Sequence, residues 1–140
     1  MMMRIAIRTA ALTAALLAFT VQPSVAHHSL AGQFDINTMV TLKGVVSKVD
    51  WINPHIYVHL SVTDADGKVS VWRLEGTPVA MARKAGLTKT MLEGNGETVT
   101  VEAFPARDGT PNLGFMQKIT YPDGRFYKFH AEPRELAAAQ

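Results

Sequence analysis

Histidines at 27, 28, 55, 59 and 130 are the residues of this 140-residue chain whose type and placement best suit chemistry. The first two follow Ser24-Val25-Ala26, and a cut after Ala26 makes His27 a chain terminus. There the α-amine and the imidazole Nδ1 can chelate one metal ion. One further histidine completes a three-nitrogen, T-shaped site, the arrangement called a histidine brace. Nitrogen ligands around an open equatorial position suit Cu(II), which tops the divalent affinity series. A cut one residue earlier leaves Ala26-His27-His28 instead, and His28 in third place gives the spacing of a square-planar amino-terminal copper site. Either terminus is competent for copper, but only the first requires a partner from the fold.

His55 is the best-placed partner. It follows Asn53-Pro54, where proline fixes the turn and asparagine can bond the backbone, so its imidazole is expected on a stiff loop at one end of the domain. His59 shares its face, yet four residues of strand separate the two by roughly 13 Å, too far to chelate one ion together. His130, just past the last strand-like run, and Glu75 are further candidates, as ligands or as groups that hold a ligand in place. Tyr57, His59, Arg73 and Glu75 also form a face that can take a small ligand or a protein partner without any metal. Arg73 and Glu75 on that face read either as a surface ion pair or as pocket lining. Trp51 and Trp72 can stack a planar ligand, though core packing is the commoner use. The scatter of Met39, Met81, Met91 and Met116 reads as core filling rather than as ligands for Cu(I). The sequence holds no Ser-His-Asp order, phosphate loop or zinc-protease helix. Its carboxylates show no pairing that nominates a general acid and base.

The compartment follows from the first 26 residues. Arg4 and Arg8 precede the apolar run Ala10 to Phe19, and Ser24-Val25-Ala26 closes the segment with small residues, the order of a secretory signal peptide. The run is short for a membrane span, and nothing later approaches one. Removal of 26 residues leaves 140 − 26 = 114, enough for one modest domain. It also removes two of 14 basic residues, leaving 12 against 12 acidic ones. A mature chain so close to neutral gives no support for nucleic-acid or anionic-membrane binding. Zero cysteines exclude a disulfide framework and thiolate chemistry, so stability must come from an apolar core.

Residues 27–38 carry Leu30 and Phe34 as anchors without a sustained period, and read as an N-terminal arm. The domain is expected over residues 39–130, followed by an alanine-rich tail at 131–140. Its first strand, from Met39 to Val49, breaks alternation around Gly44, which predicts a bulge there. The second is cleaner: Ile56, Val58, Leu60 and Val62 alternate with His55, Tyr57, His59 and Ser61. Asp64-Ala65-Asp66-Gly67 turns the chain into a third strand, Lys68 to Glu75. Thr77 as cap and Pro78 at the first helical position predict a short helix to Ala85, with at most one further turn after Thr88. Strands follow at Glu97 to Phe104, about Leu113 to Tyr121, and Arg125 to Phe129. Three strands, a helix, then two or three strands predict an all-β fold with one short helix, a small antiparallel OB-like barrel whose helix plugs the gap between the third and fourth strands. An open antiparallel sheet with one packed helix fits the same order.

His27-His28-Ser29, Phe34, the run Leu42 to Val46, the turn Trp51-Ile52-Asn53-Pro54-His55, Trp72-Arg73-Leu74-Glu75 and the Gly96 to Pro105 strand together resemble a family of small exported bacterial proteins, the domain of unknown function 6152. The resemblance runs from the double histidine to Pro122-Asp123-Gly124. It implies a periplasmic or secreted protein and adds no mechanism. The chain is therefore expected to be an exported, non-enzymatic binding or accessory protein. Its expected cofactor is copper, held by the mature N-terminus (His27 or His28) and His55, with Glu75 or His130 in support. The alternative is a metal-free module that binds a small ligand or a protein through Tyr57, His59, Arg73 and Glu75.

Overall fold

The alternation read in the second strand is what sorts the sheet into an inside and an outside. In the computed structural model, which describes residues 30–129, β1 (Val40–Asp50) and β2 (His55–Thr63) form the expected hairpin, with Trp51 to Pro54 between them. Ile56, Val58 and Leu60 point inward and are fully buried, whereas His55, Tyr57 and His59 face out. β3 (Val69–Pro78) pairs antiparallel with β2, setting Tyr57 beside Glu75 and His59 beside Arg73.

The first strand serves both halves of the barrel. Its C-terminal half pairs with β2 and its N-terminal half, from Val40 to Val45, with β4 (Thr98–Pro105). β4 pairs with β5 (Leu113–Thr120), and β5 runs parallel to β3 over Leu113 to Phe115, which closes a five-stranded barrel. A short sixth strand, β6 (Phe126–Lys128), adds to β5. The order β1-β2-β3-β5-β4 with helical turns between β3 and β4 is the expected OB-like arrangement.

The bulge is displaced from its predicted place. The β1–β2 register shifts between Val46 and Lys48, not at Gly44. At Gly44 the constraint is one of space, because a Cβ there would overlap the backbone carbonyl of Ser61 and press on Leu60. Glycine is what lets β2 cross β1 closely.

Three short helical segments are described where one was expected. α1 (Leu30–Gln33) is a single turn in the arm; α2 (Val79–Lys84) and α3 (Lys89–Glu93) link β3 to β4. Thr77 does not cap α2, because the chain is still strand through Pro78 and no side chain caps the helix. Thr88 does cap α3, its hydroxyl accepting from Met91 N–H at 3.3 Å. Val79, Ala82, Leu87 and Leu92 bring this linker into the main core. Tyr121 fastens it from the other side, its hydroxyl directed at the carbonyls of Met91 and Leu92 at 2.9 and 3.0 Å.

A second, smaller apolar cluster lies outside the barrel wall. Phe34 packs against Phe104 and Phe115, with Leu30, Ile36 and Leu113 around them. Backbone bonds hold the arm there: Asp35 N–H to Pro105 O and Arg107 N–H to Gln33 O, both 2.9 Å, with a bridge between Phe34 and Ala106. Trp51, Trp72 and Met91 pack partly buried against the main core, and Met116 lies fully inside it. Met39 and Met81 do not; both are exposed, so filling the core accounts for only two of the four methionines. Among the described residues no helix is long and apolar enough to cross a membrane. Residues 1–26, which the sequence reads as a signal peptide, and the 131–140 tail lie outside the described residues.

Because the Gly44 clash is with backbone, it cannot be relieved by a rotamer change. Gly44→Ala is expected to destabilise the fold by about 2 kcal/mol or more, read as a lowered urea midpoint with an unchanged slope. A midpoint equal to that of the native chain would show that β1 and β2 can separate freely.

Candidate functional site

Most of the outward residues of the β2–β3 pair that the sequence flagged gather around one carboxylate. Glu75 is buried at 9% exposure although it sits on the outer face, because the arm and β5 flank it. A carboxylate taken from water needs donors, and two neighbours from β2 supply them. His55 Nδ1 donates to Glu75 Oε1, and the Tyr57 hydroxyl donates to Oε2 at 3.3 Å. Since a carboxylate only accepts, Nδ1 carries the proton in this contact, and in the neutral ring Nε2 is then the nitrogen with the lone pair.

Of the two readings of Arg73 and Glu75, the ion pair is not among the contacts of the described residues, while both side chains line a groove. Arg73 instead lays its guanidinium over the Tyr57 ring, 4.0 Å from the centroid. Burial, reinforced by the Glu75 charge, pushes the Tyr57 phenol above its ordinary range, against an opposing pull from Arg73.

His59 belongs to a different cluster. Its Nε2 donates to Asp50 Oδ2 at 2.8 Å, and Lys48 Nζ meets the other oxygen of Asp50 at 2.6 Å. Those two partners, Lys48 first, hold the Asp50 carboxyl below the usual carboxylate range. His55 and His59 thus have separate partners, and His59, although beside Arg73 in register, is bonded to Asp50. Nothing in the local pattern marked Asp50 as its partner; the β1–β2 bulge brings the two residues together.

Two grooves meet at this cluster. The larger, of about 500 Å³, has His55, Tyr57 and Glu75 on one side and apolar groups on the others, including Leu30, Phe34, Phe115 and Phe129. A second of about 430 Å³ shares Gln33, Tyr57 and Glu75 with it and adds Arg73, Arg107 and Asp108. The pair of grooves thus occupies the outer face of strands two and three, flanked by the β1–β2 and β4–β5 loops, the face that OB-type barrels commonly offer to ligands. His55 was expected at one end of the domain; it is at the start of β2, with its ring against this side wall.

Gln33, Phe115, Phe129 and Arg107 were not singled out from the sequence. Only Phe34, noted as an anchor, hinted that the arm folds back here. His27, His28 and His130 lie outside the described residues. Among the described residues no three histidine, aspartate, glutamate or cysteine side chains cluster as a metal site, so His55 and Glu75 contribute a pair and not a full set.

A family model described as a family of unknown function (DUF6152) matches residues 14–114. No curated protein and no solved structure matches the chain.

The phenol of Tyr57 reports on the cluster. As its folded-state pKa is raised, the unfolded chain loses this proton first, so the stability it contributes below about pH 10 is lost as pH rises further. Phenolate absorbance, assigned by difference from Tyr57→Phe, should show Tyr57 ionising later than a free tyrosine. Glu75→Gln should bring that ionisation down without normalising it, because burial is the larger cause, and Arg73→Gln should move it further up. An unchanged titration in both variants would contradict the contacts described.

Proposed function

The chain belongs to this family, and we propose that its mature form is an exported, non-enzymatic binding or accessory protein that holds Cu(II) beside the β2–β3 face. One observation carries the reading: both ends of the described chain, Leu30 and Phe129, line the groove that contains His55 and Glu75. Three peptide units separate His27 from Leu30, and one separates Phe129 from His130. With Cα atoms about 3.8 Å apart, His27 is within about 11 Å of a groove-lining Cα and His130 within about 4 Å. These short connections are compatible with terminal nitrogens meeting His55, the one described histidine that lines the groove.

Within this proposal His55 binds through Nε2. Glu75 acts behind it, since a carboxylate on the far ring nitrogen fixes the ring and raises the basicity of the ligating one. The His27 amine and imidazole complete the three-nitrogen set, and His130 adjoins it as a further donor. A cut that leaves Ala26 first would transfer the terminal role to His28. A second reading, a ligand-binding module without metal, is favoured by the grooves themselves, which unite Tyr57, Arg73 and Glu75.

The test uses protein whose first residue is confirmed as His27 by mass spectrometry. Cu(II) titration followed by EPR should give one equivalent with a three-nitrogen spectrum. One extra residue ahead of His27 should abolish it with the fold intact, and His55→Ala should weaken it. Glu75→Gln should cost about 10- to 100-fold in affinity, while His59→Ala should cost nothing. Weak, heterogeneous binding by both the native and the extended terminus would overturn the copper reading.

A further inference from the structure

We propose that the joined grooves on the β2–β3 face bind a small amphiphile, an apolar body with an anionic oxyanion head, in the absence of any metal. This rests on the second reading above, ligand binding at the Tyr57–Arg73–Glu75 cluster, and names the class of ligand that the cluster would take.

The body is indicated by the larger groove. Leu30, Phe34, Phe115 and Phe129 form an apolar wall around a space of about 500 Å³, inside the range of about 300–1,000 Å³ in which small-molecule sites fall. Three of these four side chains are buried at 6% exposure or less, so the wall is a fixed part of the fold.

The head is indicated by the charges at the other end. Arg73 and Arg107 both line the second groove, and among the described residues neither guanidinium takes part in an ion pair. The acids beside them are already engaged: Glu75 accepts from His55 and Tyr57, and Asp108 accepts from Thr110 N–H at 2.9 Å. Each arginine is also held in place. Arg73 is stacked on Tyr57, and the backbone of Arg107 is bonded to Gln33 O at 2.9 Å. Neither guanidinium lies within 4.0 Å of a carboxylate oxygen among the described residues, Arg107 acting on Asp35 only at longer range, and two such guanidiniums match the planar, multi-acceptor geometry of a carboxylate or a phosphate. Gln33, Tyr57 and Glu75 belong to both grooves, so a single molecule can lie across the two.

Calorimetry on the mature chain, kept metal-free with chelator, tests this with a matched series of ligands. Octanoate is expected to bind at least tenfold more tightly than 1-octanol, which has the same chain and no charge. Shortening the carboxylate should weaken binding by about fourfold per methylene removed. Octyl phosphate set against octanoate identifies which oxyanion the arginines prefer. Arg73→Gln combined with Arg107→Gln should reduce octanoate to the affinity of octanol while leaving octanol unchanged, which also confirms that the groove remains folded. Equal affinity for octanoate and octanol in the native chain would overturn the anionic head and leave an apolar site standing. Binding of neither would overturn the amphiphile, while the metal-free reading would stand with a different ligand or a protein partner. Since chelator is present throughout, neither result depends on copper.

Discussion

Three residues of parallel pairing, Arg73 to Glu75 against Leu113 to Phe115, hold the rest of the architecture in place. They convert a meandering sheet into a closed barrel, and they do so at the point where Glu75 needs cover. Arg73 N–H reaches Asn112 O at 2.8 Å, and on the other side of β5 a Cβ on Gly114 would come within 2.9 Å of Phe104 O of β4. Parallel pairing also sets Phe115 level with Glu75, so that the aromatic cluster on the outer wall begins where the polar cluster ends. Without this closure Phe115 and Phe34 would have no reason to lie near His55.

A carboxylate in such a place would be costly alone. Its two donors come from the neighbouring strand at positions fixed by antiparallel register, Tyr57 opposite and His55 two residues before it. The same alternation that sends Ile56 and Val58 inward sends both donors outward. Polar order on the outer face and apolar order in the core are thus one pattern read from two sides. Arg73 then stacks on Tyr57 without pairing with Glu75, and its guanidinium lines the second groove.

The arm matters because of where it is fastened. Phe34 is buried against Phe104 and Phe115, and backbone bonds tie Gln33 and Asp35 to the end of β4 and the loop after it. Leu30 consequently becomes a groove wall. Phe129 reaches the same groove from the opposite end of the chain, its backbone N–H on Gln117 O and its ring close over Gly76. Segments almost a hundred residues apart in sequence share one small cavity, and the functional proposals depend on that convergence.

Local sequence was enough to specify the hairpin, its inward and outward residues, the turn at Asp64 to Gly67, the cap at Thr88 and the succession of strands and helix along the chain, because each is written in short-range periodicity or in the stereochemistry of a few adjacent residues, whereas closure of the sheet into a barrel rests on the β3–β5 pairing. It also marked His55, Tyr57, Arg73 and Glu75 as worth attention. The choice of partners came from the packed fold. Arg73 and Glu75, two apart on one strand face, read as an ion pair or as pocket lining; in the fold both line a groove, and Glu75 is bonded to His55 and Tyr57. His59 looked equivalent to His55 by alternation, but the bulge beyond Val46 carried it to Asp50. Gly44 stands out in the strand pattern as a bulge, and only the crossing strand shows what its missing Cβ makes room for. Of the grooves only the β2–β3 wall was legible, as the Tyr57, Arg73 and Glu75 face; the other walls come from the arm, the β4–β5 loop, β5 and the residue after β6, and long-range contacts leave no local period in the chain.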